Sequence, residues 1–301
     1  MDNFSGNLAA PGVEYWLRWQ VPVCALIIVI PTAVAASLLR KRSGAGDPLK
    51  PVDLWAPCWR NLHPRWLLLY RAFAFVAMAY LLYQTVAAFG FFVFFFYTQW
   101  TFALVMIYFA IATVVSIRGC RIHARIGEKD NFLERDSKEK LEVDLKLQFL
   151  DNLLQIVYQT SAGASMLTDI VFWCLLLPFM TGENFQLTLL IAGMHSVNAV
   201  FLILESALNR MPFTWFGLVY FVFWSCSYVV FQWVLHACCF SWWPYPFLDL
   251  STPWAPLWYL GLALVHIPFY GVYVLLTKAK HAAFSSAFPH SFVRFPEKKE
   301  A

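Results

Sequence analysis

The sequence contains seven apolar stretches, each long enough to cross a lipid bilayer as a helix. A transmembrane helix needs about 20 predominantly apolar residues, whereas a transmembrane β-strand needs about 10 that alternate in polarity. The stretches are continuous, so we predict seven helices and an all-α polytopic transmembrane bundle, a six-span core plus an extra N-terminal helix. The stretches are Val21–Leu39, Trp66–Gly90, Phe91 or Thr98 to Ile117, Gln155–Phe179, Gln186–Ser206, Trp215–Cys238 and Ala255–Leu276.

The composition excludes an ordinary soluble domain. Hydrophobic residues make up 60% of the chain and aromatic residues 19%, while charged residues make up only 13%, about half of the usual charged fraction. The net charge of +4 is too small to indicate nucleic-acid binding. We therefore expect membrane lipid as the solvent and no nucleic-acid partner, and the sequence leaves protein partners and oligomeric state open.

Basic residues are concentrated in alternate connections between the stretches. Six lie after the first stretch, eight after the third and five after the seventh, while the connections after the second, fourth and sixth carry none. Lys and Arg beside transmembrane helices are retained on the cytoplasmic side. This pattern predicts an outside or lumenal N-terminus and a cytosolic C-terminus, in the plasma membrane or the endoplasmic reticulum.

These assignments divide the chain into consecutive segments. We predict an extracytoplasmic segment 1–20, a first helix 21–39, a cytoplasmic linker 40–65, a six-helix core 66–276 with a cytoplasmic loop 118–154, and a cytoplasmic tail 277–301. The stretch "KRSGAGDPLKP" is typical of a flexible linker that separates the first helix from the other six. The stretch "EKDNFLERDSKEKLEVDLKL" favours a short amphipathic helix along the cytoplasmic face or a solvated connector.

Polar residues inside the apolar stretches are few, and each is a functional hypothesis because it is costly in lipid. A rise of about 1.5 Å per residue places His195, Asp169 and His266 at one depth, with Thr101 close to it. Helical spacing places two polar faces towards the interior. One face comprises His195, Asn198, Leu202 and Glu205, and the other comprises Gln155, Gln159, Ala162, Met166 and Asp169.

Such a layer fits either interhelical hydrogen bonds or a hydroxyl activated by His195 as a base. Spacing does not select the hydroxyl. The candidates are Thr101, Ser161, Ser165, Thr168 and Ser196. Histidines on three helices could also converge on a metal, but no stretch contains HxxxH or HxxE and the seven cysteines lack ligand spacing. We predict no metal and no other cofactor.

Several phrases in the sequence resemble a known family of membrane proteins. They are "WAPCWRNLHPRWLLLYRAFAF", "FFYTQWTFALVMIYFAIATVVSIRGC", "LTDIVFW", "MHSVNAVFLILESALN" and "WWPYPFLDLSTPWAPLWYLGLALVHIPFYGVY". They are similar to the rolling-stone-like multispanning proteins, especially the plant members. That family is distantly similar to the androgen-induced serpentine hydrolases, six-span enzymes that cleave fatty acid esters of hydroxy fatty acids with a threonine and a histidine.

The resemblance implies a function and selects two residues. "QWTFALV" matches the threonine context and implies Thr101 as nucleophile, and "GMHSVNAVF" matches the histidine context and implies His195 as base. The expected function is thus a lipid ester hydrolase with lipid as its substrate. Asp169 or His266 is the candidate for orienting the imidazole, and Asn198 is a candidate oxyanion donor. The alternative is a non-enzymatic membrane protein in signalling, fusion or scaffolding.

Overall fold

The computed structural model describes residues 12–42, 51–127, 137–180 and 186–293. It contains seven helices long and apolar enough to cross a membrane and no β-strand in those ranges, which confirms the predicted all-α polytopic bundle. We number these helices as spans 1 to 7. They are Gln20–Arg42, Pro64–Phe89, Tyr97–Gly127, Ser137–Val171 with its continuation Phe172–Met180, Leu189–Met194 with Val197–Leu208, Leu218–Cys238, and Ala255–Ala287.

The bundle has two ends of different composition. We call one end the aromatic end. Span 2 stops there at Gly90, whose φ of 73° lies in the left-handed region and whose N–H donates a hydrogen bond to the Val86 carbonyl. A short 3₁₀ helix, Phe91–Phe95, then leads into span 3. At the opposite end, here called the basic end, Arg118 of span 3 pairs with Asp151 of span 4 at 2.9 Å. Spans 1, 3, 5 and 7 run from the aromatic end to the basic end.

Span 4 lies at the centre of the bundle. It packs against spans 3, 5, 6 and 7, and span 2 packs against spans 3 and 5. Gly163 provides one close approach, because a Cβ atom there would lie 2.8 Å from both Phe221 of span 6 and Tyr270 of span 7. Small residues at such crossings let transmembrane helices pack closely. Spans 2, 3, 4 and 5 therefore enclose one interior, and spans 6 and 7 cover the other side of span 4.

Span 1 packs against spans 6 and 7, so its membrane part contacts the six-span core. Tyr15 in the preceding short helix fastens this span to the connection 239–254. Its hydroxyl donates to Asp249 Oδ1 at 3.1 Å and accepts from Trp243 Nε1 at 3.0 Å. Residues 43–50, which hold most of the predicted flexible linker, lie outside the described residues.

The connections at the basic end are shorter than predicted. Span 3 extends to Gly127 and span 4 begins at Ser137, so most of the predicted loop 118–154 is helical. The described part of the predicted amphipathic stretch, from Ser137 onward, belongs to one helix that runs unbroken to Val171, and residues 128–136 lie outside the described residues. Span 7 likewise continues to Ala287, well into the predicted tail 277–301. Long helices pair their own backbone groups, which favours extension beyond the apolar segment.

Residues 51–63, predicted as part of a linker, fold against the basic end. Cys58 accepts a hydrogen bond from Val293 N and donates its own N–H to Leu208 O, both at 2.8 Å. The Trp59 indole donates to Ala207 O at 3.0 Å and packs against Phe292. This segment ties the end of span 5 to the chain that follows span 7.

Two spans depart from a regular α-helix close to each other. Span 4 becomes a π-helix from Phe172 to Met180. Span 5 breaks at His195 and Ser196, between the helices Leu189–Met194 and Val197–Leu208. Irregular turns within helices frequently mark functional sites. The sequence predicted both helices as continuous.

Candidate functional site

The interior between spans 2 and 5 holds a fully buried ion pair that was not predicted from the sequence. Arg71 Nη2 lies 2.6 Å from Glu205 Oε1, and both side chains are 0% exposed. Arg71 also donates to Leu54 O at 2.9 Å and to Ser116 Oγ at 2.7 Å. Burying two charges in this way is costly unless each is paired and hydrogen-bonded. The available sequence signal was that Arg71 and Glu205 are ionisable residues of opposite charge inside two of the apolar stretches.

Three tyrosines extend this polar interior across the bundle. Tyr108 of span 3 donates to Glu205 Oε1 at 2.9 Å and packs against Tyr158 of span 4 with ring centroids 5.3 Å apart. The Tyr158 and Tyr273 hydroxyls are 3.2 Å apart, and Tyr273 donates to Leu202 O at 2.7 Å. We call Tyr108, Tyr158, Glu205 and Tyr273 the tyrosine layer. It links spans 3, 4, 5 and 7 at one level.

A second polar layer lies two helical turns closer to the aromatic end. Seven residues make two turns and rise about 10 Å, so a position seven residues from the tyrosine layer lies on the same helix face. Counting seven residues along each of the four spans towards the aromatic end gives the upper layer: Thr101, Ser165, Asn198 and His266. This register supports the predicted common depth for Thr101 and His266, while Asp169 and His195 lie about one turn farther on.

Thr101 is completely buried in the upper layer. Its Oγ1 has no hydrogen-bond partner among the described residues, and the same holds for Ser165 Oγ and Asn198 Oδ1. The Thr101 hydroxyl lies beside the Tyr97 hydroxyl, one turn earlier in span 3. Unpaired buried polar atoms are rare because each costs free energy. Several in one layer leave hydrogen-bonding capacity that the described protein groups do not fill.

His195 lies at the break in span 5. Its ring stacks on Phe172, with centroids 3.5 Å apart and an interplanar angle of 4°, and its carbonyl accepts a hydrogen bond of 2.8 Å from the Trp173 indole. His195 Nδ1 is buried without a partner in the described part of the chain. No hydrogen bond joins His195 to Thr101, whose layer lies about one helical turn closer to the basic end.

Asp169 and Asn198 are both buried and face each other across spans 4 and 5. The Asn198 side chain and the Ala199 backbone lie close to the Asp169 carboxylate, although its Oδ2 makes no hydrogen bond to a described residue. Asn198 Nδ2 donates to Met194 O at 3.1 Å. Neither residue bonds the His195 ring. The predicted inward faces are buried except at His195, which is only partly buried and lies at the helix break. The buried members are Asn198, Leu202, Glu205, Gln155, Gln159, Ala162, Met166 and Asp169.

His266 has partners other than His195. Its Nδ1 lies 2.6 Å from Leu262 O and its Nε2 lies 2.8 Å from Ser225 Oγ of span 6. Tyr97 OH is 2.7 Å from the same Ser225 oxygen. The structure thus pairs His266 with a serine outside the five predicted candidate hydroxyls. Residue spacing along one helix could not identify Ser225 as the partner of His266, because the two residues belong to different helices.

A cavity of about 100 Å³ adjoins Ser225 and His266, between spans 3, 4, 6 and 7 and the connection 239–254. Tyr245 of that connection lines the cavity, and its hydroxyl accepts a hydrogen bond of 3.2 Å from Tyr97 N. Burial raises the pKa of Tyr245 to about 12. Its hydroxyl is therefore neutral near pH 7 and provides a hydrogen-bonding group at the wall of the cavity.

Within the described ranges, no three His, Cys, Asp or Glu residues lie close enough together to hold a metal ion. The three histidines inside the spans have separate surroundings. His236 packs against Trp243 with centroids 4.1 Å apart, His195 stacks on Phe172 and His266 pairs with Ser225. The polar groups available at the two layers are hydroxyls, amides, imidazoles and carboxylates, which suit proton transfer and hydrogen bonding.

Comparison of the chain with protein-family models, with curated proteins and with solved structures finds no match.

Proposed function

We propose that this integral membrane protein is a lipid ester hydrolase in which Thr101 is the nucleophile and His195 the general base. The observation that carries the proposal is that, among the described residues, the fully buried Thr101 hydroxyl of span 3 and the buried His195 Nδ1 of span 5 both lack hydrogen-bond partners. Water or a substrate ester that reached these atoms would restore their hydrogen bonds. The resemblance to rolling-stone-like proteins and serpentine hydrolases supports the same two residues.

The proposed reaction is an acyl transfer in two steps. Thr101 Oγ attacks the ester carbonyl carbon, and its proton passes to His195; the alcohol then leaves with that proton and an acyl-threonine forms. Water activated by His195 cleaves the acyl-threonine and releases the fatty acid. His195 reaches Thr101 through one water molecule or by leaving the Phe172 stack, because apo geometry at catalytic hydrogen bonds is often loose. The proposed substrates are fatty acid esters, including those of hydroxy fatty acids.

The alternative function is a non-enzymatic membrane protein in signalling, fusion or scaffolding. One observation favours it: several polar side chains link different spans, as between Arg71 and Glu205. Such bonds stabilise bundles without any catalytic role. Under this alternative, the unpaired atoms of the upper layer hold only structural water.

Labelling with a long-chain fluorophosphonate tests the hydrolase proposal. The purified full-length protein in detergent is treated with the probe, and the modified residue is located by mass spectrometry. We expect an adduct on Thr101, loss of that adduct in Thr101→Ala, and labelling at least tenfold slower in His195→Ala, since a general base contributes about 10²-fold or more.

Thr113→Ala is the matched control, because Thr113 lies on the same span and bonds its own helix through Phe109 O at 2.7 Å. It should label at the native rate. A folded native protein without an adduct on Thr101, or equal labelling in His195→Ala, would reject this site and favour the non-enzymatic alternative.

A further inference from the structure

The hydrogen bonds around His266 fix the direction of each proton. A carbonyl oxygen only accepts, so the 2.6 Å contact between His266 Nδ1 and Leu262 O places the ring hydrogen on Nδ1. Nε2 then carries a lone pair, and Ser225 donates to it at 2.8 Å. Because the Ser225 proton is directed to His266, the hydroxyl of Tyr97 at 2.7 Å is the donor to Ser225 Oγ.

This arrangement has the elements of an activated serine nucleophile. Activation requires a base within hydrogen-bond reach of the hydroxyl and a third group that holds the base in the correct tautomer. His266 is the base, and the Leu262 carbonyl fixes its tautomer. A carbonyl lacks the full charge of a carboxylate, so it stabilises the imidazolium less than an aspartate does.

The cavity beside Ser225 and His266 has a size and lining that suit a small apolar ligand. Ser225 and His266 both line the cavity of about 100 Å³, and Leu167, Val171 and Leu262 contribute apolar walls. The volume admits an ester group with a short acyl chain. Ser225 is 9% exposed, so its hydroxyl is largely shielded from bulk solvent.

We propose that Ser225 and His266 form a second nucleophile–base pair, which accepts a short acyl group from an ester in this cavity. Ser225 Oγ bonds to the carbonyl carbon and its proton moves to His266 Nε2. The ester C–O bond breaks, and the alcohol leaves with the proton from Nε2. As Ser225 Oγ forms the new bond, the Tyr97 hydroxyl turns from Ser225 Oγ and donates its one hydrogen bond to the developing oxyanion. Water then hydrolyses the acyl-serine. This site does not require Thr101 or His195.

The experiment measures where a short-chain fluorophosphonate reacts and how fast p-nitrophenyl butyrate is hydrolysed by the purified full-length protein in detergent. We expect an adduct on Ser225 and ester hydrolysis that depends on it. In Ser225→Ala the adduct disappears and hydrolysis falls at least tenfold. In His266→Gln both rates fall at least tenfold, because glutamine can keep a hydrogen bond but cannot take the proton.

Ser227→Ala is the matched control. Ser227 is exposed on the same span, and its hydroxyl bonds its own helix through Phe223 O at 2.8 Å. Its rates should equal the native rates. A thermal melt of each variant separates loss of reactivity from loss of fold. A second variant, Ser225→Cys, should react with chloroacetamide at least tenfold faster than the thiol of Ser227→Cys, since His266 would take its proton.

Several results would overturn the proposal. If the folded native protein forms no adduct on Ser225, then Ser225 and His266 make only an interhelical hydrogen bond. Equal thiol reactivity in the two cysteine variants would lead to the same conclusion. An adduct on Thr101 alone would also overturn it while supporting the hydrolase proposal for Thr101 and His195. An adduct on Ser225 with none on Thr101 would support the pair of Ser225 and His266 and would reject Thr101 as the nucleophile.

Discussion

At the scale of single residues, the interior is organised by one charged pair and by hydroxyls whose partners differ. Arg71 and Glu205 satisfy one another and are further bonded by Ser116, Tyr108 and the Leu54 carbonyl. The Thr101 oxygen, by contrast, has no hydrogen-bond partner in the part of the chain that the structure describes. The paired groups fix the relative positions of the spans, and the unpaired ones provide the hydrogen-bonding capacity on which the proposed chemistry depends.

Replacing one member of the ion pair should destabilise the protein more than replacing both. Glu205→Leu leaves a buried, unpaired guanidinium and should lower the free energy of unfolding by about 3–5 kcal/mol. Adding Arg71→Met removes that charge and should restore part of the loss. Thermal unfolding of the native protein, both single variants and the double variant in detergent measures the coupling. Additive losses would show that the two charges do not stabilise each other.

At the scale of helices, the regular spans followed from the sequence and their irregularities did not. Hydropathy located all seven spans, and the 3.6-residue period identified the buried face from Gln155 to Asp169. The break at His195 has no proline within it, so the local sequence carried little signal there, whereas Pro178 inside the π-helix Phe172–Met180 was an available signal for the irregular turn in span 4. They depend on packing of one span against another, as in the stack of His195 on Phe172.

The choice of partners between helices was also beyond the sequence. His266 was predicted to share a depth with His195, and periodicity alone could not reveal that its ring faces Ser225 of span 6. Depth follows from counting residues along one helix, whereas the rotation of neighbouring helices follows from packing of all their side chains. The packing of span 1 on spans 6 and 7 escaped prediction for the same reason.

The attachment of span 1 depends on Tyr15. Tyr15→Phe removes a hydrogen bond to Asp249 and the acceptor for Trp243 and for Leu250 N, which should cost about 1–3 kcal/mol. We expect the melting temperature in detergent to fall by several degrees. Tyr83→Phe is the control, because Tyr83 is 68% exposed on span 2. Equal melting temperatures for the two variants would contradict the role of Tyr15 in holding span 1.

Ionisation of Tyr15 provides a related pH prediction. Burial raises the pKa of Tyr15 from its usual value of 10.0 to about 12, so the folded state holds the proton more tightly than the unfolded state. The stabilisation is complete below about pH 10 and is lost as the pH rises towards 12. Melting temperatures measured across this range should fall less steeply for Tyr15→Phe than for the native protein. Parallel curves would show that Tyr15 does not contribute.

At the scale of the whole molecule, the exposed apolar side chains of the outer spans form a lipid-facing surface around an interior that contains the two polar layers. Phe73 and Val76 on span 2 and Leu264 and Ile267 on span 7 are each more than half exposed. In water such a surface would drive aggregation, whereas in a bilayer it contacts acyl chains. A substrate that dissolves in lipid would reach the bundle laterally, in keeping with the proposed fatty acid esters.

The distribution of basic residues predicts the orientation of this bundle. We propose that the basic end faces the cytosol and that the N-terminus lies outside or in the lumen. A glycosylation acceptor tag fused to the N-terminus should be modified in cells, and the same tag at the C-terminus should not. Modification of the C-terminal tag alone would show the opposite orientation.

The central claim is that this membrane protein cleaves lipid esters, and release of free fatty acid tests it most directly. The purified protein in detergent is incubated with a fatty acid ester of a hydroxy fatty acid, and the products are quantified by mass spectrometry. We predict steady release by the native protein and by Thr113→Ala, and release at least 10²-fold slower by Thr101→Ala and by His195→Ala. No release by the folded native protein, or undiminished release by the Thr101→Ala and His195→Ala variants, would contradict the account.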